Sequence, residues 1–204
     1  MSRHLIKLIS LTFALILSAA AHAALTPGQQ APDFSLRGID GNTVSLSDYR
    51  GKYVVLEWFN SECPFVQKHY ESGNMQGLQS KYTAKGVVWL GINSTNPQHS
   101  NYRDPARSAE VLAQWKSKPS AFALDPSGVV GREYGARTTP HMYIVDPKGR
   151  LVYAGGIDDR PSTSARDIPR SKNYVADALD ALLAGNPVGD ANTRPYGCSV
   201  KYAD

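Results

Sequence analysis

The chain has 204 residues, with 22 Lys and Arg against 18 Asp and Glu and a formal net charge of +4. So mild a charge, carried by dispersed basic residues, gives no reason to expect a nucleic-acid partner. The length suits one ordinary domain with a real core, and the cysteines number only two, Cys63 and Cys198.

Residues 1–23 read as a secretory signal. Arg3 and Lys7 come early, an apolar stretch covers 8–17, and Ala19-Ala20-Ala21-His22-Ala23 offers an Ala-x-Ala cleavage site. The apolar stretch is too short to span a membrane comfortably. Cleavage after Ala23 removes two basic residues, Arg3 and Lys7, and takes the net charge from +4 to +2. It places the mature chain in the periplasm, an oxidising space where disulfides persist. No later segment reads as transmembrane, so no membrane partner is expected after cleavage.

Short strands are expected at 32–36 and 44–46, around the turn Asp40-Gly41-Asn42. A strongly apolar strand follows at 53–59, and Glu57 is its only charge. Helical sequence runs from about 64 to 85, interrupted near Gly73-Asn74. Residues 87–93 form a near-continuous apolar run, the mark of a strand covered on both faces. Residues 106–118 have helical spacing, with Val111, Leu112 and Trp115 on one side. A short strand at 121–124 and a brief helix around 129–134 come next. Strands 142–145 and 151–154 flank Asp146-Pro147-Lys148-Gly149-Arg150, whose turn chemistry makes them an antiparallel hairpin. Residues 160–170, rich in Ser, Arg and Pro, read as a surface loop, and a helix over about 172–184 stops at Gly185. The alternation predicts one α/β domain over 24–185, a central mixed sheet with helices on both faces. A tail rich in Gly, Pro and Asn, 186–204, carries Cys198.

Cys63 is the candidate nucleophile. It lies in Asn60-Ser61-Glu62-Cys63-Pro64-Phe65-Val66, between the 53–59 strand and a helix beginning at Pro64. The partial positive charge of a helix N-terminus favours thiolate over thiol, and Pro suits the first helical position because its missing N–H has no partner there anyway. Glu62 works in the other direction, since a carboxylate beside the sulfur disfavours thiolate. It also reads as a solvated carboxylate that favours the helix start. Lys68 and His69 are expected on the solvated face of the same helix, and His141 as a structural, hydrogen-bonded histidine.

Three features resemble the thioredoxin superfamily, in its redoxin branch of AhpC/TSA peroxiredoxins and peroxiredoxin-like proteins. They are the opening Gly28-Gln29-Gln30-Ala31-Pro32-Asp33-Phe34-Ser35-Leu36, the strand-Cys63-helix junction, and Thr139-Pro140 before the 142–145 strand. The resemblance implies a thioredoxin-like fold and a cis Thr139–Pro140 bond facing the sulfur, where backbone groups meet an incoming peptide. A trans proline opening an edge strand is the bland alternative. It also implies that Asn60, Pro64 and Phe65 line the substrate surface with Thr139 and Pro140. Glu57 corresponds to a buried carboxylate that assists proton transfer during disulfide exchange in thioredoxin. Burial would raise its pKa towards neutrality, whereas a solvated or ion-paired Glu57 would have no such role.

The departures narrow the chemistry. Val66 stands where a Cys-x-x-Cys enzyme carries its second cysteine, so Cys63 is single at that motif. Leu56 and Asn60 replace the Pro and Thr of the peroxiredoxin Pro-x-x-x-Thr-x-x-Cys pattern. Cys198 can supply the resolving thiol, within one chain or between two; a static Cys63–Cys198 staple and an unpaired thiol are its alternatives. The expected activity is an exported thiol-disulfide oxidoreductase. Its partners would be a disulfide-bearing protein or a peroxide, and a thiol reductant, with no cofactor. A thiol peroxidase using the same cysteine is the second reading. A non-catalytic module that binds a partner protein or Cu(I), with Cys63 and His141 contributing, is the third; no closely spaced ligand cluster supports a metal.

Overall fold

The computed structural model describes residues 25–203. The expected leader lies outside them. In chain order the elements are β1 (Ser35–Gly38), β2 (Thr43–Ser45), β3 (Val54–Trp58), α1 (Pro64–Glu71), α2 (Asn74–Thr83), β4 (Val88–Asn93) and α3 (Pro105–Gln114). There follow β5 (Ala121–Leu124), α4 (Val129–Glu133), β6 (Thr138–Thr139), β7 (His141–Val145), β8 (Leu151–Gly155), α5 (Tyr174–Leu183) and β9 (Cys198–Ser199). Seven strands form one mixed sheet in the order β2-β1-β5-β4-β3-β7-β8. β3, β4 and β5 run parallel, whereas β1 and β7 join them antiparallel.

β3 and β4 are buried along their whole lengths, because successive side chains point to opposite faces and both faces are covered. Val55, Trp89, Met142 and Ile144 pack with Val66, Tyr70, Leu78, Leu112 and Leu179, from α1, α2, α3 and α5. Leu56, Trp58, Leu90, Ile92 and Tyr143 pack on the other side with Phe34, Leu46, Val130 and Tyr134. The expected two-faced α/β sheet is therefore present, with one face covered by four helices and the other by α4, a 3-10 turn at Leu46–Tyr49 and loops.

Local chemistry sets the boundaries. The 64–85 helix divides because Gly73, at φ 75°, starts α2. α3 begins at an Asp104 cap, whose side chain accepts the Arg107 N–H at 2.8 Å, and ends before Lys116, at φ 53°. Asn173 caps α5 in the same way, accepting the Ala176 N–H at 2.9 Å. β1 starts later than expected: ahead of it the Asp33 side chain accepts the Phe34 and Ser47 amides, each at 3.0 Å, tying the approach to the 3-10 turn at Leu46–Tyr49. The loop at 160–170 contains a 3-10 turn, Ala165–Arg170. The tail holds the largest difference. β9 pairs antiparallel with β6, Cys198 opposite Thr139. Among the described residues no helix is long and apolar enough to cross a membrane.

Candidate active site

Cys63 occupies the N-cap of α1 in extended conformation, with Pro64 at the first helical position. Its carbonyl accepts the Val66 and Gln67 amides, each at 2.9 Å, so the cysteine itself starts the helix. The Asn60 side chain accepts the Glu62 N–H at 2.9 Å and the Asn60 carbonyl the Cys63 N–H at 3.1 Å, fixing the turn that carries the sulfur. The Thr139–Pro140 peptide is cis. The Cys63 thiol donates to the Thr139 carbonyl at 3.0 Å, and the Cys198 amide points at the Cys63 sulfur from 3.4 Å. Both cysteines are free thiols, and Cys63 is only 1% exposed. The Thr139 hydroxyl beside them is buried without a partner.

The structure thus brings Cys63, Thr139 and Cys198 together, although 135 residues of chain separate the two cysteines. Phe65 meets the Tyr196 ring edge-on at 5.8 Å. Burial and the hydrogen bond to Cys63 push the Cys198 thiol up to about 12, so it holds its proton at neutral pH. Glu62 turns aside to Arg103, 2.7 Å away. His141 is the structural histidine expected: its Nδ1 lies 3.0 Å from the Tyr143 hydroxyl, and no hydrogen bond joins it to Cys63. Burial lowers its pKa to about 3. Among the described residues no group of three or more His, Cys, Asp and Glu is arranged to hold a metal ion.

Glu57 is buried on the Cys63 side of the sheet. Its carboxylate accepts from the Tyr70 hydroxyl and the Trp89 indole, each at 2.8 Å. Those bonds favour the charged form, but desolvation outweighs them and lifts its pKa to about 7. No hydrogen bond joins Glu57 to Cys63 among the described residues.

Lys68 and His69 correct the expectation of a solvated face, being 2% and 0% exposed. Lys68 Nζ donates to the Arg160 carbonyl at 2.9 Å and lies 3.6 Å from the Asp158 carboxylate. His69 Nε2 is 3.1 Å from the Tyr196 hydroxyl, which donates to Asp158. α1 is covered on this side by the 158–160 segment and by the tail, and neither contact was readable from helical spacing. Helical spacing does not contain the arrangement, because its partners lie about 90 and 127 residues downstream. Asp158→Ala would strand a buried ammonium and should cost about 3–5 kcal/mol. Urea unfolding of that variant beside Lys68→Met/Asp158→Leu checks this, because removing both charges should cost less. Burial holds His69 neutral, with its pKa lowered to about 4. The stability it contributes is present above about pH 6.5 and lost as pH falls through about 4.

The tail is fitted to the domain on both sides of Cys198. Tyr202 donates to the Ala136 carbonyl at 2.8 Å, and its ring lies beneath the Arg132 guanidinium, 4.6 Å from centroid to carbon. Arg132 also donates to the Ala203 carbonyl. Gly131 makes room for the Tyr202 hydroxyl. Gly197, at φ 137°, brings the strand so close to the Thr139 carbonyl that a Cβ would run into its oxygen. Gly197→Ala is therefore expected to lift β9 from β6 while leaving the sheet intact. A higher rate of Cys63 alkylation at unchanged melting temperature would show it.

The profile of the AhpC/TSA family matches residues 27–154, which include Cys63, Thr139 and Pro140 but not the Cys198 strand. Among curated relatives, thioredoxin-like protein YneN of Bacillus subtilis is 31% identical over 143 residues, covering 69% of this chain and 79% of that protein. Thiol-disulfide oxidoreductase ResA of Bacillus cereus is 27% identical, covering 61% and 66%. Peroxiredoxin Bcp of Bacillus subtilis is 27% identical over 179 residues, covering 76% and 93%. An uncharacterized conserved protein from Geobacillus kaustophilus has a crystal structure that superposes with a TM-score of 0.76 at 30% identity, covering 88% of this chain and 93% of that one. By name ResA is a thiol-disulfide oxidoreductase and Bcp a peroxiredoxin, and the chain belongs to the AhpC/TSA redoxin family of the thioredoxin superfamily.

Proposed function

We propose that this chain is an exported, periplasmic thiol-disulfide oxidoreductase in which Cys63 is the nucleophile and Cys198 the resolving thiol. The observation that carries the reading is Cys198 strand-paired against Thr139, with its amide at the Cys63 sulfur. Cys63, as thiolate, attacks one sulfur of a substrate disulfide, forming a mixed disulfide and expelling the other sulfur as a thiolate that takes a proton from water. Cys198 then loses its proton and attacks Cys63 Sγ, so the Cys63–Cys198 bond forms and the second substrate sulfur leaves. The substrate gains two electrons and the cysteine pair loses them; an external dithiol restores the pair.

The order follows from electrostatics. Cys198 is held as thiol partly by the sulfur of Cys63, and that influence ends once Cys63 is in a mixed disulfide. Burial, the larger cause, remains while the tail is in place, so the first step removes only part of what holds the proton on Cys198 and eases its loss at the second. Thr139, Pro140, Asn60, Pro64 and Phe65 serve as the substrate surface. Glu57, whose pKa of about 7 suits proton exchange, is proposed to tune the site from the sheet. An unchanged pH profile of Cys63 alkylation in Glu57→Gln would remove it from the scheme.

Reduction of a peroxide by the same cysteine is the second reading, favoured by the match covering 93% of peroxiredoxin Bcp. Stopped-flow oxidation of the reduced protein by a protein disulfide and by hydrogen peroxide decides. Faster loss of the Cys63 thiol with the disulfide is expected. Faster loss with peroxide would assign a peroxidase, and slow loss with both would leave a binding role.

A further inference from the structure

Residues 192–203 lie over the Cys63 site as a strap. Its near end is held where Thr193 Oγ1 accepts the Gly156 N–H at 3.0 Å, and its far end where the Lys201 carbonyl accepts the Asn96 N–H at 2.7 Å. Between these holds β9 pairs with β6, Tyr196 enters the Asp158 and His69 pocket, and Tyr202 sits under Arg132. With the strap down, Cys63 is 1% exposed, so a sulfur within another polypeptide has no path to it. The strap is itself an extended, cysteine-bearing segment laid across the catalytic sulfur. It occupies the place that such a polypeptide would need.

We propose that the groove between α1 and β6 is a strand-binding site occupied in turn by the strap and by an extended disulfide-bearing polypeptide segment, and that the strap's register specifies that segment. The register places the reacting cysteine opposite Thr139, a glycine immediately before it, and an aromatic residue before the glycine. The glycine is required because a Cβ at Gly197 would meet the Thr139 carbonyl. The aromatic residue takes the Tyr196 place, against Phe65 and 5.5 Å from Lys68 Nζ. A cavity of about 520 Å³ beside Tyr196 and Gly197, lined also by Tyr174 and Arg194, leaves room for the preceding part of a longer chain. Thr139, whose backbone pairs with Cys198, also carries a buried hydroxyl without a partner.

The inference rests on the disulfide-exchange reading and adds its substrate class and its gate. A segment that displaces the strap brings its disulfide to Cys63, and the mixed disulfide forms as its partner sulfur departs as thiol. The returning strap then both competes for the groove and delivers Cys198, expelling the segment as a thiol while the Cys63–Cys198 bond forms. An external dithiol reduces that bond.

The test uses the full chain carrying Cys198→Ser, with and without Arg132→Ala, an exposed position whose loss removes two of the contacts that hold the strap's far end and so loosens it. Cys63 alkylation by a bulky maleimide is expected to rise at least about tenfold with Arg132→Ala, as a cation–π contact and a charge-assisted hydrogen bond are lost. The probe is an end-capped peptide of residues 194–201 carrying Cys198→Ser. It should protect Cys63 in the Arg132→Ala chain, whereas the same peptide with Gly197→Val should not. Alkylation unchanged both by Arg132→Ala and by Tyr202→Ala would overturn the proposal, as would two peptides that protect equally or not at all. Neither readout involves disulfide exchange, so the groove can fail while the redox chemistry stands, and the redox chemistry can fail while the groove stands.

Discussion

Cys198→Ser is expected to preserve the first step and to stop turnover, with the substrate left joined to Cys63. The reason is geometric. Cys198 is held across from Thr139, and its amide approaches the Cys63 sulfur to 3.4 Å, so the resolving step proposed for it would be intramolecular. A thiol so placed has an effective concentration far above that of millimolar free thiol, and losing it should slow turnover by roughly a hundredfold or more. Cys63→Ser should abolish both steps, because a serine hydroxyl at a helix start is not ionised near neutral pH. Rapid quench followed by non-reducing electrophoresis distinguishes the two variants. A trapped conjugate is expected with Cys198→Ser and none with Cys63→Ser. Full turnover by Cys198→Ser would remove the tail from the chemistry.

The second large effect belongs to Glu57. Its pKa rises from 4.5 in the unfolded chain to about 7 in the fold because burial outweighs the bonds from Trp89 and Tyr70. The folded state therefore prefers the protonated carboxyl. That contribution to stability is fully present below about pH 4.5 and is lost as pH rises through about 7. The shift corresponds to about 3 kcal/mol. Glu57→Gln keeps an acceptor for the Trp89 indole and removes the titration. Urea unfolding at pH 5 and pH 8 should show wild type losing most of this amount relative to the variant. The buried histidines His69 and His141 titrate in the opposite sense, but they are common to both proteins and cancel in the difference. Parallel stability profiles would mean that Glu57 is ionised in the fold throughout.

Much of this architecture is legible in residue order. The apolar runs that became β3 and β4 need cover on both faces, and that requirement calls for packed elements above and below the sheet. Cys63 before Pro64 announces a helix start, and Gly73 announces its interruption. What periodicity does not contain is pairing across long stretches of chain. Lys68 and His69 read as polar helix positions because their cover, Asp158 and Tyr196, comes from elsewhere. The tail reads as irregular because glycine and proline hide strand propensity, yet Gly197 is what lets β9 approach Thr139. A tyrosine on each side of Cys198, at 196 and 202, was the available signal that this tail is anchored.

The most direct measurement is intact-mass analysis, with peptide mapping, of the reduced full chain after one equivalent of a protein disulfide. The expected product is monomeric, has lost two hydrogens, and carries a single bond between Cys63 and Cys198, with the substrate recovered as dithiol. A chain that stays reduced, or one in which Cys63 alone is modified while Cys198 remains free, would contradict the paired-cysteine mechanism.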